Sequence, residues 1–239
     1  MVLQDILERI GNTSLVALRR LAPANGTRLL LKLECENPTG SMKDRMALAM
    51  IEAAERDGRL PPGGPVVEYT GGSTGVSLSL VCAVKGHPLH VVSSNAFARE
   101  KLDHMAILGA RLTVIASDGG RMTAQLTKVL SGGASGAHGI DGVGAGFVVP
   151  LWDPAVPNQI ERVSTDEAKA MALRLAREDG IFAGTSTGAN VVAVLRVAET
   201  LPPGSTLVTV MCDTGMKYLT QLRTGADTSH PDSNRQTHR

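Results

Sequence analysis

Residues 28–58 read RLLLKLECENPTGSMKDRMALAMIEAAERDG, and the way this stretch divides decides the fold. The opening RLLLKLE is a short apolar run of strand length. RMALAMIEAAERDG repeats apolar residues at helical spacing and is stopped by Gly58. Between them lies a proline-glycine loop, and Lys43 follows it directly, at the head of the helix. A strand that hands over to a helix through a tight loop is the repeating unit of a mostly parallel sheet.

The same unit recurs outward from this stretch. PVVEY reads as a strand and TGVSLSLVCAVKG as a helix ending at Gly86; PLHVVSS leads to AREKLDHMAILG, and RLTVIAS leads to GRMTAQLTKVL. Late in the chain, STDEAKAMALRLAREDG opens with Ser164 and Glu167 in capping-box spacing, and TGANVVAVLRVAETL precedes the strand-like STLVTVMCD. Between these halves the rhythm fails. After the helix ending near Leu130 a strand is due, yet SGGASGAHGIDGVGAGF is dense in glycine and has no branched apolar run. It is either a long functional loop or the scar of an absent β/α segment. The polar, patternless tail at 223–239 is expected to be disordered, with His230 and His238 solvated.

Composition narrows the class of function. With 24 Lys and Arg against 23 Asp and Glu, no large field of one sign draws the chain to nucleic acid or an anionic membrane. Aromatic residues make up 3%, too few to stack bases. A small-molecule partner is expected instead. Cys35, Cys82 and Cys212 are odd in number and widely spaced, which suits neither a disulfide framework nor a metal site and points to a reducing cytoplasm. No apolar run has membrane-spanning length.

Three glycine-rich turns sit where a strand hands over to a helix: TGGSTG at 70–75, GTSTGAN at 184–190 and CDTGMKY at 212–218. Each is ordinarily a helix-capping turn. In an open α/β sheet, however, turns at the carboxyl ends of strands converge on one crevice, where helix-start N–H groups favour an anion. A partly desolvated lysine at the mouth of such a crevice can attack an aldehyde to form a Schiff base, or can neutralise a phosphate. The spacing of a nucleotide-binding P-loop is absent, which disfavours the second use.

The motifs, in order, resemble the cysteine synthase and cystathionine β-synthase family of pyridoxal-phosphate (PLP) enzymes, of fold type II. IGNTSLVAL at 10–18 is similar to the family's amino-terminal signature, KLECENPTGSMKDR to its lysine motif and EYTGGSTG to its substrate loop; DGVGAGFVVP, GIFAGTSTGAN and CDTGMKYL follow in the family's order. The resemblance implies a tryptophan synthase β-like α/β fold of two open, mostly parallel sheet lobes flanked by helices. The larger, cofactor-binding lobe would span 1–43 and 129–222, and the smaller, mobile substrate lobe 44–128.

It further implies Lys43 as the aldimine lysine and proton shuttle, and Thr214 facing the pyridine nitrogen where the family has a serine. Ser73, Gly184 and Ser186 would be cofactor contacts. Thr70, Gly71, Gly72, Ser73, Thr74 and Gly142 would contact the substrate. The implied reaction is β-replacement or β-elimination on an activated serine through an α-aminoacrylate, with sulfide or a thiol as acceptor, in a cytoplasmic homodimer. Cys35 is read as packing, and His138 as structural.

Three departures accompany the likeness. Ser14 stands in place of a proline, and Ser73 in place of the asparagine that bonds the cofactor's phenolic oxygen. Near Lys128 and Val129 a β/α stretch is missing, together with the glycine-threonine loop that cradles the PLP phosphate. This coincides with the break in rhythm. The alternative it raises is a shortened, non-catalytic relative acting as a protein-binding scaffold.

Overall fold

The computed structural model describes residues 2–116, 155–220 and 222. Its strands are β1 (Leu15–Ala17), β2 (Arg28–Leu33), β3 (Val66–Tyr69), β4 (Leu89–Ser94), β5 (Arg111–Ile115) and β6 (Thr206–Met211). Its helices are α1 (Lys43–Arg56), α2 (Ser73–Lys85), α3 (Arg99–Ile107), α4 (Thr165–Glu178) and α5 (Thr185–Thr200). A short 3-10 helix, Gly215–Tyr218, follows β6. The fold is α/β, as the strand-loop-helix rhythm requires. The expected helix at 120–130, the glycine-rich break, Gly142, His138 and the tail lie outside the described residues.

Two sheets form. β3, β4 and β5 are parallel in sequence order, each connected to the next by a helix. In the other sheet β2 is central, antiparallel to β1 and parallel to β6. Leu29 and Leu31 alternate into the core beneath this second sheet, where Met171, Leu175 and Val191 of α4 and α5 meet them. The first sheet has its own core, in which Ala47 and Ile51 of α1 pack with Val76, Leu78 and Val81 of α2. Leu7 joins this core although it precedes β1 in the chain. Each sheet thus has its own apolar core.

Local signals set the helix boundaries. α2 ends at Gly86, which takes the left-handed conformation at φ +77° that its lack of a Cβ permits. At the start of α4 the Ser164 side chain accepts from the Glu167 N–H, and the Glu167 carboxylate accepts from the Ser164 N–H. The predicted capping box is therefore present.

α4 and α5 approach so closely that a Cβ on Gly188 would lie 2.0 Å from the Ala168 carbonyl oxygen and 2.9 Å from the Ala172 nitrogen. Both atoms are helix backbone and cannot swing aside. Gly188→Ala is expected to cost about 3 kcal/mol through overpacking, read as a lower urea midpoint at unchanged slope. A midpoint equal to wild type would show that the two helices have room to part.

Candidate active site

The lysine loop is held from both sides. Asn37 is extended ahead of Pro38, as a pre-proline residue must be, and Gly40 turns the chain at φ +74° while its N–H donates to the Asn37 carbonyl at 2.7 Å. Asp44, in the first turn of α1, is completely buried; it accepts the Thr39 N–H at 2.8 Å and the Ser77 hydroxyl at 2.5 Å. An acid at a helix start suits the positive end of the helix dipole. Together these bonds fix the turn that presents Lys43.

Behind this turn lies a second network that explains two motifs at once. Arg45 grips Glu34 with two bonds, Nε to Oε2 at 2.7 Å and Nη2 to Oε1 at 3.0 Å. The Thr13 hydroxyl and Asn37 Nδ2 donate to the same carboxylate at 2.7 and 2.9 Å, and Asn37 Oδ1 accepts the Gly11 N–H at 2.8 Å. Gly11 has φ +102°, and a Cβ there would meet Arg45 Nη1 at 3.0 Å. The amino-terminal signature is thus the socket for the arginine of the lysine motif.

The lysine loop also pairs with the segment after β6. The Met42 N–H donates to the Cys212 carbonyl at 2.8 Å, and the Thr214 N–H to the Gly40 carbonyl at 2.9 Å. Ser41 bridges to Asp213, and Ala183 to Thr214. The Gly184 N–H donates to the Asp213 carbonyl at 3.2 Å, and the Ser73 hydroxyl donates to Asp213 Oδ2 at 2.9 Å. All three glycine-rich turns and the lysine loop therefore meet at residues 212–214. This is the convergence expected at the carboxyl ends of strands.

Lys43 is half-buried at the first position of α1 and lies close enough to Cys212 to influence its thiol. Ser186 lies close enough to Cys212 to lower its thiol, and Gly184 caps α5. Thr70 accepts the Gly72 N–H at 3.4 Å, Gly71 lies under the Phe97 ring, and Ser73 and Thr74 open α2. The Ser73 hydroxyl has one proton, and here it is directed to Asp213.

Sequence reasoning singled out Thr214 in the turn 212–218 and passed over its neighbours. Asp213 and Tyr218 are both buried, and Tyr218 Oη donates to Asp213 Oδ2 at 2.6 Å. Lys101 is buried with its ammonium 4.0 Å from the centre of the Tyr218 ring. Burial lowers Lys217 to about 8 against the pull of Asp213 and Asp44. An acid, a lysine and a tyrosine within one short turn were the available signal.

The cysteines stay protonated. Burial raises Cys82 to about 11, and burial also raises Cys35 and Cys212. Cys35 packs against the core beneath β2, consistent with packing rather than nucleophilic chemistry. Among the described residues, no group of three or more His, Cys, Asp or Glu could hold a metal ion, and no helix is long and apolar enough to cross a membrane.

The donor set fits pyridoxal phosphate at two of its ends. Thr214 Oγ1 accepts the Met216 N–H at 3.3 Å, which leaves its own proton to donate. Gly40 makes room for the methyl group of the same threonine, since a Cβ there would lie 2.8 Å from Cγ2. Lys43, from the facing turn, would supply the amine. A primary amine that could take the aldehyde and a hydroxyl that could take the ring nitrogen thus stand on paired segments.

Comparison with known proteins points to the same cofactor. The sequence model of the family described as pyridoxal-phosphate dependent enzyme matches in two stretches, residues 6–158 and 134–213. A cysteine synthase of Staphylococcus aureus is 29% identical over 294 residues, covering 90% of this chain and 95% of that protein. A probable cysteine synthase of Bacillus subtilis is 28% identical over 300 residues, covering 91% and 96%. Both alignments are longer than the 239 residues of the chain, so each relative carries residues opposite which this chain has none. Among solved structures, an O-ureido-L-serine synthase superposes with a TM-score of 0.84 at 27% identity, over 97% of this chain and 98% of that one. A cysteine synthase from Entamoeba histolytica gives 0.81 at 26% identity, over 98% and 93%.

Proposed function

Because the chain belongs to the pyridoxal-phosphate dependent enzyme family and is an enzyme resembling cysteine synthase, we propose that it replaces the β-substituent of an O-activated serine with sulfide or a thiol. The observation that carries this reading is the pairing of the lysine loop with residues 212–214, which sets Lys43 and the Thr214 hydroxyl on facing segments. Bound pyridoxal phosphate supplies the electron sink for ionising the Cα–H bond of an amino acid.

The roles of the protein's own residues belong to this reading. Lys43 holds the cofactor and carries the Cα proton between its Nζ and the substrate. Thr214 directs its hydroxyl at the ring nitrogen; a neutral donor there, unlike a carboxylate, does not enforce a protonated ring, and so favours chemistry at Cβ over transamination. The loop 70–74 grips the substrate carboxylate through backbone N–H groups at the start of α2, the end of a helix that attracts an anion. Gly184 and Ser186 support the cofactor from the α5 side, and Gly142, outside the described residues, is assigned to the substrate by the family resemblance alone. A homodimer in the cytoplasm belongs to the same reading.

The competing reading, a scaffold without catalysis, is favoured by one observation: the glycine-threonine phosphate loop has no counterpart in the sequence. A visible absorption spectrum of the purified chain with added PLP, followed by borohydride reduction and peptide mapping, separates the two. The enzyme reading expects a band that shifts on adding an O-activated serine, and a pyridoxyl group on Lys43. A chain with neither band nor modification is a scaffold.

A further inference from the structure

Asp213 stands beside Thr214, and none of the roles above uses its side chain. Its residue is 4% exposed. The backbone faces the cofactor side, bridging to Ser41 and accepting from Gly184. The carboxyl group faces the substrate loop. Its Oδ2 takes two hydroxyl protons, from Ser73 at 2.9 Å and from Tyr218 at 2.6 Å. Ser73 is 140 residues away in sequence and opens α2, whose buried side chains belong to the core beneath β3, β4 and β5. Tyr218 packs with Ala172 of α4 and Leu222. The Ser73–Asp213 bond therefore ties the start of α2 to the turn after β6, whose Tyr218 packs in a third, small apolar cluster.

We propose that Asp213 is a positioning residue: backed by Tyr218, it latches Ser73 and holds the 70–74 loop closed over the Lys43–Thr214 site. The catalytic consequence rests on the function proposed above, whereas the latch itself does not.

Three features support it. The loop carries consecutive glycines, Gly71 and Gly72, and a chain so free to move loses much entropy on closing unless a neighbour anchors it. A hydroxyl donating to a carboxyl group out of water is a strong anchor of that kind. Space is cleared for the latch, because a Cβ on Gly184 would fall 2.5 Å from Asp213 Oδ1 and 2.6 Å from Tyr218 Cε2. The latch is also braced from the smaller lobe. The Thr220 hydroxyl donates to Glu100 of α3 at 2.6 Å, and Lys101 of the same helix covers the Tyr218 ring.

The test is amide hydrogen exchange on the full chain, comparing wild type with Ser73→Ala, Asp213→Asn and Asp213→Ala, alongside steady-state kinetics on an O-activated serine. The latch expects Ser73→Ala to speed exchange in the 70–75 peptide by roughly ten-fold, the size of one lost hydrogen bond, while β2 and β6 exchange as in wild type. Asp213→Asn, which keeps an acceptor, should fall between wild type and Asp213→Ala. In the kinetics, KM for the serine substrate should rise by more than kcat falls.

Loop exchange at the wild-type rate in both Ser73→Ala and Asp213→Ala overturns the latch. So does faster exchange throughout, β2 and β6 included, in Ser73→Ala, because that marks a merely structural bond. A wild-type chain without turnover defeats the proposed function and leaves the exchange result to decide the latch alone.

Discussion

Lys43→Ala is expected to lower turnover of an activated serine by about a thousand-fold or more, the scale of losing a general acid-base group, and to leave no pyridoxyl group on the α1 peptide after borohydride reduction. Stability should hardly change. The side chain is half-buried, no carboxyl group among the described residues pairs with it, and alanine is at least as good a helix former at the head of α1. The combination discriminates, because a surface lysine would leave both activity and cofactor attachment intact. Retention of more than about a tenth of wild-type kcat/KM, a loss well short of that expected for a general acid-base group, would remove Lys43 from the chemistry.

The second large effect lies behind the site. Arg45→Ala strips the guanidinium from Glu34, a residue only 5% exposed, and leaves a buried carboxylate without its cation. Because the Arg45 side chain is itself 45% exposed, the loss falls below that of a fully buried pair, at about 2 kcal/mol, or roughly 6 °C in Tm for a chain of this size. Thr13 and Asn37 still donate to the carboxylate, so the chain should fold. Arg45→Lys should fall between wild type and alanine, because lysine cannot reproduce the two-pronged grip.

The same pair predicts a pH dependence. The hydrogen bonds from Arg45, with help from Thr13 and Asn37, hold Glu34 down at about 2 against an ordinary 4.5, although burial alone would raise it. A carboxylate whose value is lower in the folded state stabilises fully above its unfolded value and loses that contribution as pH falls through the folded one. The stability gap between wild type and Arg45→Ala should therefore be full above about pH 4.5 and close toward pH 2. Urea denaturation at a series of pH values measures it. A gap that stays constant across this range would mean that the cost of the variant is packing rather than charge.

Much of the site was legible in the residues. RLLLKLE, PVVEY, PLHVVSS and RLTVIAS became strands because each alternates or concentrates apolar groups over the length that one strand buries. Ser164 and Glu167 cap α4 through bonds three residues apart, which a sequence displays directly. The lysine motif and the three turns were found because glycine and a helix start have local signatures. The Glu34–Arg45 grip left no such signature. Its donors, Thr13, Asn37 and Arg45, come from three separate stretches, and nothing in the spacing says that they share the Glu34 carboxylate.

The sequence by itself determined the alternation of strand and helix, the position of Lys43 at the start of α1 and the family likeness, since each depends on residues close together in the chain. Only the tertiary structure decided that the lysine loop pairs with residues 212–214, that Gly40 yields to Thr214, and that the proton of Ser73 is directed to Asp213. Periodicity reports which face of an element is buried. Which donor meets which acceptor is fixed when β6 docks beside β2 and brings its following turn against the head of α1.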